Sequence, residues 1–167
     1  PKETKPMDVL QMAVSSLGTF YDLEVSPEKV KGKKYDKDYF MNTSAALIGA
    51  LGSIVAAWHR IRNGHEPISS STDATYAQNF LHMLGAEDIT PLMTRIMDAT
   101  LVLHGEHTIN ASTFTAMVTS STLANASQVV ASAIGSLSGP LHGGANEKVI
   151  AMLEKINSKD DIRPWLD

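Results

Sequence analysis

Apolar residues recur at intervals of three and four along most of the chain, and that spacing predicts an all-α protein. Pro6 fits a first-turn position, and Met7, Leu10, Val14 and Leu17 follow it on one face. Residues 38–62 are apolar on most faces, which predicts a largely buried helix, and Asn63-Gly64 stops it. A polar loop over 65–72 leads into a helix that Asp73 would cap and Gly85 would end. Thr90-Pro91 is a start signal, and Leu92, Ile96, Thr100 and Leu103 form the stripe of a helix over 91–104. Residues 112–137 read as one long helix. A last helix spans about 145–156, with Val149, Ile150, Leu153 and Ile156 facing inward. The charged segment 24–38, with Pro27 and Gly32, reads as a surface loop, and no internal repeat or extended strand pattern appears.

Composition narrows the picture. The 167 residues amount to one domain with a real core, and a net charge of −4 argues against nucleic acid or an anionic membrane as partner. The one basic cluster, Lys29, Lys31, Lys33 and Lys34, is broken by Glu28, Asp36 and Asp38 and reads as a solvated loop. No cysteine is present, which excludes disulfides and thiolate metal sites and fits a cytoplasmic location. No run of about 18 apolar residues and no signal-peptide pattern is seen. The start at Pro1 and the stop at Asp167 lead us to expect a piece of a longer protein. Residues 112–137 are rich in Ala and Ser, which lets helix backbones approach closely. Composition leaves open whether that surface serves an interface, within the chain or between subunits, or an ordinary buried helix.

Candidate chemistry centres on six histidines: His59, His65, His82, His104, His107 and His142. None falls in a metal-ligand spacing such as HExxH, so no metal is expected. Ser112 or Thr113 with His107 lacks nucleophile-elbow spacing. His59, His65 and His82 read as surface or helix-end residues. His107 and His142 lie at breaks between helices, where polar groups can face a ligand rather than their own backbone. An imidazole can donate or accept a proton near neutral pH. Gly143 and Gly144 beside His142 permit close backbone approach, and a helix start follows them. These residues with Asn110 allow a small-anion site, and the reaction stays open at this point.

The run Gly139-Pro140-Leu141-His142-Gly143-Gly144-Ala145-Asn146-Glu147 resembles a signature of the citrate synthase family. A second family-like run is His104-Gly105-Glu106-His107-Thr108-Ile109-Asn110-Ala111-Ser112-Thr113-Phe114. Pro6-Met7-Asp8-Val9-Leu10 resembles the opening of a large-domain helix, and Gln78-Asn79-Phe80-Leu81-His82-Met83-Leu84 resembles the family's Asn-Phe-Leu segment. The resemblance covers essentially the whole chain. It implies an all-α enzyme of the tricarboxylic acid cycle that joins acetyl-CoA to oxaloacetate, giving citrate and CoA, with acetyl-CoA as substrate and no further cofactor.

By position, His142 resembles the catalytic histidine that hydrogen-bonds the acetyl-CoA carbonyl and stabilises its enol. His107 resembles the histidine that holds oxaloacetate, and Asn110, Gly143 and Gly144 would complete the substrate contacts. The resemblance also implies a large helical domain over 1–140, the start of a small domain over 141–167, and a homodimer through helices 91–104 and 112–137. Thr108 departs from the family, where Glu is common. The Asp base, the carboxylate-binding arginines and the Gly-x-Gly-His-Arg run that carries a second histidine have no match here. The resemblance therefore implies a central fragment that is inactive alone. The rival readings are 2-methylcitrate synthase, which uses propionyl-CoA; a helical dimer module without catalysis; and a metal-binding helical protein.

Overall fold

A computed structural model describes residues 2–21, 37–106 and 108–166. Among these, eight α-helices and no strand are found. They are α1 (Pro6–Ser16), α2 (Lys37–Arg62), α3 (Tyr76–Leu84), α4 (Pro91–Leu103), α5 (Ala111–Ser120), α6 (Ala126–Leu137), α7 (Gly144–Leu153) and α8 (Ile162–Leu166). The all-α reading therefore holds. The lysine cluster at 29–34 lies outside the described residues, as does nearly all of the predicted loop over 24–38, whose last two residues open α2.

The core forms where α1 crosses α2 and α6. Val14 is fully enclosed with Ala131 and Ile134, and Met7, Leu10, Leu17, Leu51 and Ile54 pack around them. The stripe read from the sequence of α1 is thus the face it buries. Leu47 and Ala56 of α2 are buried, as are Ala77, Leu81 and Met83 of α3, a helix that packs on α2. Tyr76 Oη donates to the Ile48 carbonyl at 3.0 Å, tying α3 to α2. A side chain at Gly52 would meet that hydroxyl at 2.7 Å, so the missing Cβ is what lets the tyrosine close in.

Several elements differ from expectation, each for a local reason. Thr75, not Asp73, caps α3: its hydroxyl accepts the Gln78 N–H, while the Gln78 side chain accepts the Thr75 N–H. The long helix over 112–137 is two helices. Leu123 takes a left-handed φ of 63°, and Asn125 accepts the Gln128 N–H to start α6 afresh. The halves form an antiparallel hairpin pinned by Thr119 Oγ1 and Ser132 Oγ at 2.9 Å. The small residues of α6 serve packing within the chain, since a Cβ on Gly135 would strike Gln11 of α1 at 2.7 Å.

Helix α2 is less buried than its composition predicts. Met41, Ile48, Val55 and Ile61 stay exposed, because among the described residues only α1 and α3 pack on it extensively. By length and mean hydropathy, 1.5, α2 is also apolar enough to cross a membrane, although Ser44, Ser53 and His59 keep it from being an unbroken apolar run. The inward face predicted for α7 is open too: Val149, Ile150 and Leu153 are exposed, because α7 makes no extensive contact with α1–α6.

Candidate functional site

The site is built at two helix starts. Thr90 caps α4 by accepting the Met93 N–H, and α4 runs to His104, whose Nδ1 lies 2.7 Å from the Thr100 carbonyl oxygen. The link that follows carries Thr108 at a positive φ of 58°, and the Thr108 carbonyl accepts the Asn110 N–H at 3.2 Å. Asn110 is the N-cap of α5, its Oδ1 accepting the Thr113 N–H at 2.9 Å. Ser112 Oγ donates to that same oxygen at 2.8 Å.

The second helix start brings His142. After α6 the chain turns through 139–143, where the His142 and Gly143 N–H groups both donate to the Gly139 carbonyl at 3.0 Å. This turn carries the His142 ring onto α5, with Nε2 at 2.9 Å from Ser112 Oγ. His142, Ser112 and Asn110 are each half-buried. The two histidine-containing runs of the sequence thus meet through Ser112, a residue read only as a weak nucleophile candidate. The signal for it was present: a serine two positions after a capping asparagine can return its hydroxyl to the cap oxygen.

Proton counting defines what this chain of contacts can do. Asn110 Oδ1 only accepts, so the single Ser112 proton placed there leaves the serine oxygen to accept from His142 Nε2–H. The neutral ring then presents an acceptor at Nδ1. If the hydroxyl rotates onto Nε2, the ring proton moves to Nδ1, which becomes a donor. The serine hydroxyl therefore couples the tautomer of His142 to the cap of α5.

The other predicted site residues fall as follows. His107 lies outside the described residues. The Gly143 amide is already bonded to Gly139, and the Ala145 and Asn146 amides donate to the His142 and Gly143 carbonyls. Those three amides are thus bonded within the chain. Gly143 is required for an internal reason, since a Cβ there would stand 2.2 Å from the Leu137 carbonyl oxygen. Gly144 faces open space. His59, His65, His82 and His104 are exposed, and among the described residues no group of three or more His, Cys, Asp or Glu converges. Clefts of about 520 Å³ between α1 and α6 and about 450 Å³ between α2 and α3 lie away from His142.

Comparison with known proteins bears on the identity of this arrangement. A family profile described as "Citrate synthase, C-terminal domain" matches residues 1–167. Citrate synthase from Acidithiobacillus ferridurans is 45% identical over 167 residues, covering 100% of this chain and 42% of the relative. A 2-methylcitrate synthase from Shewanella oneidensis is 35% identical, covering 99% of this chain and 42% of the relative. The chain thus spans about two fifths of the length of these curated relatives. Among solved structures, the citrate synthase of Pyrobaculum aerophilum superposes with a TM-score of 0.74 at 35% identity, covering 92% of this chain and 39% of that one. The citrate synthase of Thermotoga maritima gives 0.66 at 30% identity, covering 99% and 40%.

Proposed function

The chain belongs to the citrate synthase family, and on that premise we propose that it forms part of an enzyme that condenses acetyl-CoA with oxaloacetate. In that reaction the acetyl methyl carbon loses a proton and adds to the ketone carbon of oxaloacetate. Water then cleaves the thioester, giving citrate and free CoA. His142 takes the catalytic role: its Nδ1 donates to the thioester carbonyl oxygen as negative charge gathers there. The donor at Nδ1 exists when the Ser112 hydroxyl turns onto Nε2, which makes Ser112 the positioning residue for that proton. His107 and Asn110 take the oxaloacetate side. The observation that carries this reading is the 2.9 Å contact between His142 and Ser112, which joins the two family-like runs.

Two further features belong to the same proposal. The small-domain start at 141–167 is supported by the lack of extensive contact between α7 and α1–α6. A homodimer through α4 and the α5–α6 hairpin is supported by exposed apolar side chains, namely Leu92, Ile96 and Leu103 on α4 and Phe114, Met117 and Val118 on α5. The Shewanella oneidensis relative supports a second reading, in which propionyl-CoA is the acyl donor. The test is thiol release from acetyl-CoA and from propionyl-CoA, each with oxaloacetate, by a polypeptide of the relatives' length that carries this sequence. Faster release from acetyl-CoA is expected. Preference for propionyl-CoA establishes the second reading, and no thiol from either donor refutes both.

A further inference from the structure

We propose that Glu106 is a positioning residue that clamps the link between α4 and α5, accepting the backbone N–H of Thr108 and so holding it in a left-handed conformation. The proposal rests on the reading of this chain as part of a citrate-forming enzyme. Thr108 has a φ of 58°. A β-branched residue is rarely found there, because its side chain crowds the backbone, and such a conformation persists only where neighbouring groups impose it. Two hydrogen bonds impose it here. The Glu106 carboxylate accepts the Thr108 N–H from one side. On the other side the Thr108 carbonyl accepts the Asn110 N–H.

The clamp sets the direction in which the chain enters α5. It leads directly to Asn110, whose Oδ1 holds Ser112, whose oxygen in turn meets His142. In sequence the clamp spans His107, the residue assigned to oxaloacetate. A carboxylate suits the task, because it only accepts and its bond to an N–H is charge-assisted. Releasing it frees Thr108 to relax toward negative φ and turns the link away from the geometry that α5 and His142 share.

The experiment compares Glu106→Ala, Glu106→Gln and Thr108→Gly in a polypeptide of the relatives' length. Backbone hydrogen exchange reads the clamp without any reaction. Glu106→Ala should speed exchange of the Thr108 amide by about tenfold or more, the loss of one hydrogen bond to a charged group. Kinetics read its consequence. Glu106→Ala should raise the oxaloacetate KM by about tenfold or more and lower kcat alongside it, since the link leads both to Asn110 and through Ser112 to His142, and Glu106→Gln, which keeps an acceptor oxygen, should recover most of the loss. Glycine adopts positive φ freely, so in the Thr108→Gly background Glu106→Ala should add little. Unchanged Thr108 exchange, a loss that falls on kcat alone, or full additivity with Thr108→Gly overturns the clamp. If the unsubstituted protein forms no citrate, the functional reading fails, and Thr108 exchange still decides the clamp.

Discussion

His142 and Ser112 stand 30 positions apart in sequence, and the turn after α6 sets His142 Nε2 2.9 Å from Ser112 Oγ. The serine is itself held by the oxygen that caps α5, so the orientation of a catalytic candidate depends on a helix start. Replacing Ser112 by Ala removes both contacts and leaves the bond from Thr113 to Asn110 in place. Helix α5 should survive, while His142 loses the hydroxyl whose rotation onto Nε2 puts the ring proton on Nδ1. Turnover should fall by about two- to tenfold, the worth of one neutral hydrogen bond of about 0.5–1.5 kcal/mol. Steady-state kinetics beside a far-UV spectrum check this, and unchanged turnover would remove Ser112 from the site.

The adjacent glycines Gly143 and Gly144 should respond in opposite ways. A methyl at Gly143 would stand 2.2 Å from the Leu137 carbonyl oxygen, so the turn that aims His142 must move. We expect Gly143→Ala to cost about 1–3 kcal/mol, the usual range for forced overpacking. Nothing lies within 4 Å of a Cβ at Gly144, the first residue of α7. There alanine should be neutral or stabilise by about 0.5–1 kcal/mol through better helix propensity. Thermal unfolding of the two variants decides, and equal effects would mean that Leu137 does not set this requirement.

Much of this architecture was legible because its signals are local. Thr90-Pro91 starts α4 and Gly85, at φ 89°, ends α3, since caps and left-handed glycines act within one turn. The α1 stripe of Met7, Leu10 and Val14 was legible because one face meets one neighbour. The break at 121–125 was hidden. Asn125 as a cap competes with continued helix, and Ala/Ser periodicity cannot tell one long helix from two that fold back on each other. The role of Ala131 was hidden for a related reason: small residues promise a close partner without naming it, and the partner is α1 of the same chain. Ala131 is buried beside Val14, so Ala131→Leu would overpack the core rather than a subunit interface. At the site, the two histidine-containing runs could be read as motifs. The meeting through Ser112 could not, because it depends on how the α6 turn folds back.

Tyr76 gives an alkaline signature. Partial burial raises its hydroxyl above the ordinary 10.0, because the charged form would lose part of its hydration, and the neutral hydroxyl donates to Ile48. A group whose folded pKa is raised contributes stability that is complete below the unfolded value and is lost as pH rises through the folded one. Stability should therefore hold up to about pH 10 and fall above it. Tyr76→Phe should flatten that fall and cost about 1 kcal/mol at neutral pH for the lost hydrogen bond. Urea midpoints measured between pH 8 and 11 check both, and an equal alkaline fall in Tyr76→Phe would shift the cause to another group.

The proposed division of labour between the two histidines makes the sharpest kinetic contrast. The partner assigned to His142 is an oxygen that gains charge only on the way to the transition state. Removing such a donor should lower kcat by about 10²–10³ and disturb oxaloacetate binding little. The partner assigned to His107 is oxaloacetate, anionic before any bond is made. His107→Ala should therefore act mainly through a raised oxaloacetate KM. Both variants are to be compared in a polypeptide of the relatives' length, with direct titration of oxaloacetate alongside turnover. The contrast has a structural basis on the His142 side: its ring is anchored to Ser112 rather than to solvent, so its Nδ1 can be held in one place throughout the reaction. Near-normal turnover in His142→Ala would refute that assignment, and a kcat loss in His107→Ala equal to that of His142→Ala would mean that both rings act on the same developing charge.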